Sequence, residues 1–271
     1  MLSNLELLPI LLPALIAGFL VVITHIPLGA EVLRRGIVFI DLALAQTAAL
    51  GSIVAAWVFY EGGHDTHVHS NTALMFLASY GASIICASVL YLIRKTPANI
   101  QEALIGSIFI LTSSMSILLL FQHPQGGEQL KNILVGQILW VGWQDIIVAS
   151  SVTAVVLIGL YLFKRNNQFV FYPTLAVAIT LSTQLVGVYL VFATLIIPAL
   201  AVYRCKRPML FAYLVGFIGY TSGLILSVLI DSPTGAVIVI TLAFTGLIVC
   251  VGAAKLTFVR RQYSLESLDE S

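Results

Sequence analysis

The chain has 271 residues, 59% of them hydrophobic and only 9% charged, with a formal net charge of +1 and a mean hydropathy of +1.03. Soluble domains carry about 25% charged residues, so this composition excludes an ordinary globular enzyme and describes a polytopic membrane protein. The near-neutral balance also argues against nucleic acid as a partner.

A bilayer-spanning helix needs about 20 mostly apolar residues. Apolar segments fall near 7–26, 37–60, 73–93, 103–121, 146–163, 169–203, 209–229 and 233–253. They predict an all-α fold of eight to nine transmembrane or re-entrant helices in one bundle over residues 1–261. The opening residues, MLSNLELLP, lack the basic start of a cleaved signal peptide. The last residues, 262–271, read QYSLESLDES and predict a disordered polar tail.

Basic residues set the orientation. Arg34/Arg35, Arg94/Lys95, Lys164/Arg165, Arg204/Lys206/Arg207 and Lys255/Arg260/Arg261 should all be cytoplasmic by the positive-inside rule, with the N-terminus outside and the C-terminus inside. Residues 166–203 then begin and end beside cytoplasmic basic residues, so an even number of crossings must lie between them. A helical hairpin or re-entrant pair turning near Ser182–Gly187 is expected, against the alternative of one long tilted helix. The more polar stretch 122–145, with Trp140 and Trp143, reads as an outward segment whose Leu134–Val141 part dips back into the protein.

The stretch Arg34–Gly51, RRGIVFIDLALAQTAALG, carries the main chemical signal. A charge at membrane depth is costly, and it usually faces a protein interior or a water-filled path and marks an ion route. Asp41 is the best such residue, and the small side chains Ala43, Ala45, Ala48, Ala49 and Gly51 around it suit close helix packing. Glu102 reads either as a helix-start carboxylate favoured by the macrodipole or as a second carboxylate on the path. The loop HDTHVH gathers His64, His67 and His69 with Asp65, a composition that suits metal contact at the outer face, although a solvated loop has the same look. Gly219-x-x-x-Gly223 is a close-packing motif for a neighbouring helix or for a dimer seam. Cys86, Cys205 and Cys250 form no CxxC pair and read as buried small hydrophobes. There is no GxxxxGK[ST], GxSxG or HExxH, so the chain reads as a transport subunit and not an enzyme, with any motor on another polypeptide.

Several blocks resemble the membrane permeases of ABC importers for zinc, manganese and iron: PLGAEVLRRGIVFIDLALAQTAALG, IQEALIGS, ILVGQILWVGWQDI, QLVGVYLVFATLIIPALAVYR and GLILSVLIDSPTGAVIVI. The resemblance covers most of the chain. It implies a permease of a bacterial inner membrane that moves a divalent transition metal, zinc or manganese or else iron, with no permanently bound cofactor. It further implies a homodimer, a cytoplasmic ATP-binding subunit and an extracytoplasmic metal-binding protein. An ion-coupled secondary carrier, or a permease-like subunit that has lost ATPase coupling, stays open as the alternative.

Two departures from the family pattern stand out. The family usually has an aspartate followed four residues later by a histidine; here Asp41 is followed by Ala45, and Gln46 lies one position further on. A π-bulge would bring Asp41 and Gln46 onto one face. The expected path is therefore Asp41, Gln46 and Glu102, with metal contacts at Asp41 and at His64, His67 and His69. An oxygen-only pair favours harder ions such as manganese. The family's cytoplasmic acidic–Pro–aliphatic stretch is also missing after Lys164-Arg165, leaving Arg94–Gln101 and Arg204–Pro208 as candidate contacts to the ATPase.

Overall fold

A computed structural model describes residues 4–60, 68–121, 133–164, 168–203, 205 and 207–269. Side chains are described there except at 4–8, 10, 59–60, 68–72, 163–164, 168 and 253–269. Nine long helices appear among the described residues: α1 (Asn4–Arg35), α2 (Ile40–Tyr60), α3 (Val68–Leu92), α4 (Ala98–Phe121), α5 (Trp143–Lys164), α6 (Gln168–Val186), α7 (Val188–Ala201), α8 (Pro208–Leu229) and α9 (Thr234–Asp269). Eight are long and apolar enough to cross a membrane; α7, with 14 residues, is shorter. The expected all-α polytopic bundle is the observed one.

The helices sort into inner and outer sets. The apolar window of α6 is 72% buried, whereas that of α4 is 17% buried. α1, α2 and α6 form the centre and α7 packs against α1 and α9, with α3, α4, α5, α8 and α9 around them. The exposed rows of Leu, Ile, Val and Phe on the outer helices suit a hydrocarbon solvent, which makes apolar exposure free of cost.

α1 extends nine residues beyond the apolar segment that ended at residue 26, through PLGAEVLRR. It stops at Gly36, whose φ of 71° supplies the left-handed turn. The amide of Gly36 donates to the Leu33 carbonyl and that of Ile37 to Val32, which satisfies two of the last carbonyls and turns the chain directly into α2. Asp41 is thereby held in the first turn of α2.

Segment 169–203 breaks at Gly187, at the edge of the expected turn, where φ is 82° and ψ 162°. The break reverses the chain. α6 starts beside Arg35, whose guanidinium lies 4.1 Å from the Phe171 ring, and ends with Gly187 against Gly136. α7 then returns, so that Ile197 and Ala201 lie beside Gly246, well into α9 from Gly235, which itself abuts the Val135 carbonyl. The two arms pack on different partners, α6 on α3, α5 and α2, and α7 on α1 and α9. The pair is thus a splayed hairpin.

Segment 133–142 inserts into the angle of that hairpin. Ile138, in the single turn Ile138–Trp140, is a core residue, while Trp140 and Trp143 remain exposed. Irregular backbone is tolerated at membrane depth only where protein covers it, and here Val186, Gly187 and Gly235 do so. The motif Gly219-x-x-x-Gly223 packs within the chain: Gly219 faces Leu242, Gly223 faces Ile238, and the Thr241 hydroxyl donates to the Gly219 carbonyl at 2.8 Å.

The backbone of α9 runs as a helix from Thr234 to Asp269. One expectation needs correction. The cysteines are not uniformly buried: Cys86 is, but Cys205 is half-buried and Cys250 is exposed on α9, where lipid serves as well as protein.

Candidate functional site

The site is built on one face of α2. At 3.6 residues per turn, Asp41, Ala45, Ala48 and Ser52 share a face. Asp41 is 1% exposed, and neither of its carboxylate oxygens has a hydrogen-bond partner among the described residues. It points neither to headgroups nor to a capping arginine: Arg34 and Arg35 both engage Glu31, at 2.7 Å. Burying such a carboxylate is costly unless a cation or hydrogen-bond donors compensate it. The α2 N-terminus supplies a partial positive charge, and the remaining deficit is one that a cation would fill.

Glu102 reaches the same place from α4. Its Oε1 accepts a hydrogen bond from the Phe39 amide at 3.1 Å, and its Oε2 is buried with no partner among the described residues. The sequence left Glu102 either as a helix-start carboxylate of α4 or as a second carboxylate on the path. It caps α2, two residues before Asp41, so three unpartnered carboxylate oxygens belong to one end of α2. The surroundings are tied down by Gln101, whose amide donates to the Tyr172 hydroxyl at 3.3 Å, and by Arg35 stacked on Phe171.

Gln46 does not join them. α2 is α-helical from Ile40 to Tyr60, with no π-bulge. Five residues then turn the face by about 140°, and the Gln46 amide instead donates to the Ser116 hydroxyl of α4 at 3.3 Å. His64 and His67 lie outside the described residues; His69 falls within α3, but its side chain is likewise outside them. Among the described residues no group of three or more His, Cys, Asp or Glu could hold a metal ion. Asp41, on α2, and Glu102, reaching over from α4, belong to the same end of α2.

Above Asp41 the same face of α2 opens into a cavity of about 330 Å³. Ala48 and Ala49 form its α2 wall; its polar lining is Ser52, Ser79, Gln137, Thr180, Thr183 and Gln184. Gln137 and Gln184 are exposed at its rim, whereas Ser79, Thr180 and Thr183 are buried. Sequence reasoning passed over these hydroxyls. Their signal was present in the run TLSTQ at 180–184, which places four polar residues in five inside an apolar helix and was read only as a turn. It also passed over His25, fully buried in α1, whose Nδ1 lies 3.1 Å from the Val21 carbonyl and whose Nε2 has no described partner.

A model of the ABC 3 transport family matches residues 8–172 and 165–253, nearly the whole bundle. The chain belongs to the ABC 3 transport family. This ABC 3 permease is 26% identical over 259 residues to the high-affinity zinc uptake system membrane protein ZnuB of Haemophilus influenzae, covering 87% of this chain and 94% of that one. It is 24% identical to the manganese transport system membrane protein MntC of Halalkalibacterium halodurans, over 84% of this chain and 82% of that one. Its fold matches PsaBC from Streptococcus pneumoniae, solved in complex with Fab, with a TM-score of 0.71 at 20% identity over 90% of this chain and 93% of that one. The family resemblance read from the sequence blocks holds. The chain is a multi-pass membrane permease of the ABC type.

Proposed function

We propose that this ABC 3 family permease carries a divalent transition metal (zinc, manganese or iron) across the inner membrane, and that Asp41 is the charged contact the ion must pass. The observation that carries this is a buried carboxylate with both oxygens unpartnered, on the α2 face that also lines a cavity bearing hydroxyl and amide groups. The names of the zinc and manganese relatives support the cargo class. The metal is cargo, so no resident cofactor is invoked.

In this reading an extracytoplasmic binding protein delivers the ion at the Gln137 and Gln184 end. The ion descends the α2 face to Asp41, then to Glu102, whose bond to the Phe39 amide opens as it arrives. A separate ATP-binding subunit drives the change. α5 ends at Lys164 and α6 begins at Gln168, which leaves no room there for a family-type coupling stretch. We assign that contact to Arg94–Gln101 and Arg204–Pro208. By the positive-inside rule we assign the C-terminus to the cytoplasm and the N-terminus to the outside, and we propose that two copies of the permease assemble in the transporter.

Glu102 and Gln46 separate path from packing. Glu102→Gln is expected to slow metal uptake roughly tenfold, as losing one charged hydrogen-bonding contact does, with normal expression. Gln46→Leu is expected to leave uptake within about twofold and to lower stability by about 1 kcal/mol through the lost bond to Ser116. Uptake rates of the two variants in a metal-uptake-deficient strain, beside thermal melts, check the split. The opposite ranking would move the path from the Asp41–Glu102 end of α2 to the Gln46–Ser116 contact.

We further propose that His64, His67 and His69 collect metal at the outer face. Replacing all three with alanine should reduce uptake only at limiting metal and leave it normal at saturating metal. Unchanged uptake at limiting metal would remove the loop from the mechanism.

A further inference from the structure

α4 is the least enclosed of the eight spanning helices, with 17% of its apolar window buried, and α2 is its main helical neighbour. Side-chain hydrogen bonds tie it to the bundle: Gln46 of α2 donates to Ser116 further along, and the neighbouring residues Gln101 and Glu102 hold its start. Those two reach in different directions. Glu102 accepts from the Phe39 amide just ahead of α2, whereas the Gln101 side chain donates through Nε2 to the Tyr172 hydroxyl of α6 at 3.3 Å. Gln101 and Tyr172 are both buried.

The connection that leads into α4 is short and tightly bonded. A single turn, Ile93–Lys95, is closed by the Thr96 amide and hydroxyl, which donate to the Ile93 carbonyl at 3.0 and 2.7 Å. Thr96 is extended, and the Pro97 carbonyl then accepts from the amides of Ile100 and Gln101 to open α4. Arg94 folds back on α3, its guanidinium 3.6 Å from the Tyr91 ring and bonded to the Tyr91 carbonyl at 2.7 Å. Tyr91 in turn meets the Tyr172 ring edge-on at 5.9 Å. Tyr172 therefore touches both limbs of the connection, Tyr91 before it and Gln101 after it. A load on Arg94 has a continuous route through packed and bonded groups to Gln101, and Glu102 is the next residue in the chain.

We propose that the Gln101–Tyr172 hydrogen bond is a latch that holds α4 against α2 and α6 in the resting permease, and that the ATP-binding subunit, bearing on Arg94–Gln101, opens it and so frees Glu102 from the Phe39 amide. Gln101 and Tyr172 are positioning residues, and neither touches the ion. This rests on the permease reading above and adds to it the link between the ATPase contact and the carboxylates. A neutral hydrogen bond suits the task, because its net worth is small once water can replace it, so it biases two arrangements without locking either. A buried ion pair in its place would cost far more to separate.

The test uses the full chain with its ATP-binding subunit in liposomes. ATP hydrolysis is read at rest, without the binding protein, and again with the binding protein loaded with zinc or manganese. Tyr172→Phe keeps the ring and removes the hydroxyl; Gln101→Met keeps the length and removes the donor. Each should raise resting hydrolysis about fivefold, the bias that one hydrogen bond imposes on a two-state equilibrium, and should shrink the further stimulation by loaded binding protein. Because both substitutions remove the same bond, the double variant should show the rise of one single variant and not an additive rise of about twenty-five-fold. A pair that only packs would lower the melting temperature and leave the resting rate alone. Either single variant that assembles decides the resting rate. Unchanged resting hydrolysis, an additive double variant, or failure of both single variants to assemble would overturn the latch. A wild-type complex stimulated with neither metal would remove the metal-permease reading, while the resting rates still judge the latch.

Discussion

Asp41→Asn is expected to reduce metal uptake by at least about a hundredfold, since even indirect supports of a metal contact cost 10–100-fold when lost. The substitution keeps shape and removes charge. Asp41 is 1% exposed, with both oxygens unpartnered, so the folded protein bears the cost of keeping an ionisable group at a buried position without a compensating donor. Asparagine, which does not ionise, lowers that cost. The variant should therefore assemble normally and melt at a temperature equal to or above that of the wild type, the pattern of a functional residue held against stability. Uptake assays and thermal melts on one preparation check both halves. Normal uptake would exclude Asp41 from the path, whereas a lowered melting temperature with lost uptake would make it a structural residue.

Gly187→Ala is expected to have the largest effect on folding. Its φ of 82° with ψ of 162° belongs to a region essentially reserved for glycine. A Cβ there would also strike the backbone of Val135 and Gly136. Backbone strain of about 1–3 kcal/mol and overpacking of similar size give a loss of roughly 2–6 kcal/mol. The yield of monodisperse protein in detergent should collapse. Gly252→Ala, at a site with nothing within 4 Å, serves as the matched control and should behave as wild type. A well-folded Gly187→Ala variant would mean that the turn between α6 and α7 relaxes readily, and that the hairpin is held by α1 and α9 rather than by its own bend.

The two predictions differ in how far the sequence alone supports them. Asp41 was legible because an isolated carboxylate in an apolar run among alanines is rare and costly. Gly187 was legible only through charge: basic residues on both sides of 166–203 demanded two crossings, and Gly187 lay at the edge of the expected turn. Its pairing with Gly136 was not legible, because a close approach between distant glycines leaves no periodic trace. Glu102 was visible as a carboxylate, yet its reach to the Phe39 amide depends on how α4 leans on α2. For Gln46 a helix distortion was expected that the structure does not have; its side chain meets Ser116 on α4.

Composition and hydropathy determined the class of molecule, the number of crossings to within one, and the carboxylate most expensive to bury. Those properties follow from local transfer free energies, which each segment carries with it. Only the tertiary structure decided which oxygens share an end of α2, that Gln46 turns away from them, and that hydroxyls from α2, α3 and α6 line one cavity. Such groupings arise from contacts between helices far apart in the chain, and in a bundle apolar on nearly every face no hydrophobic periodicity records which side of a helix meets protein and which meets lipid.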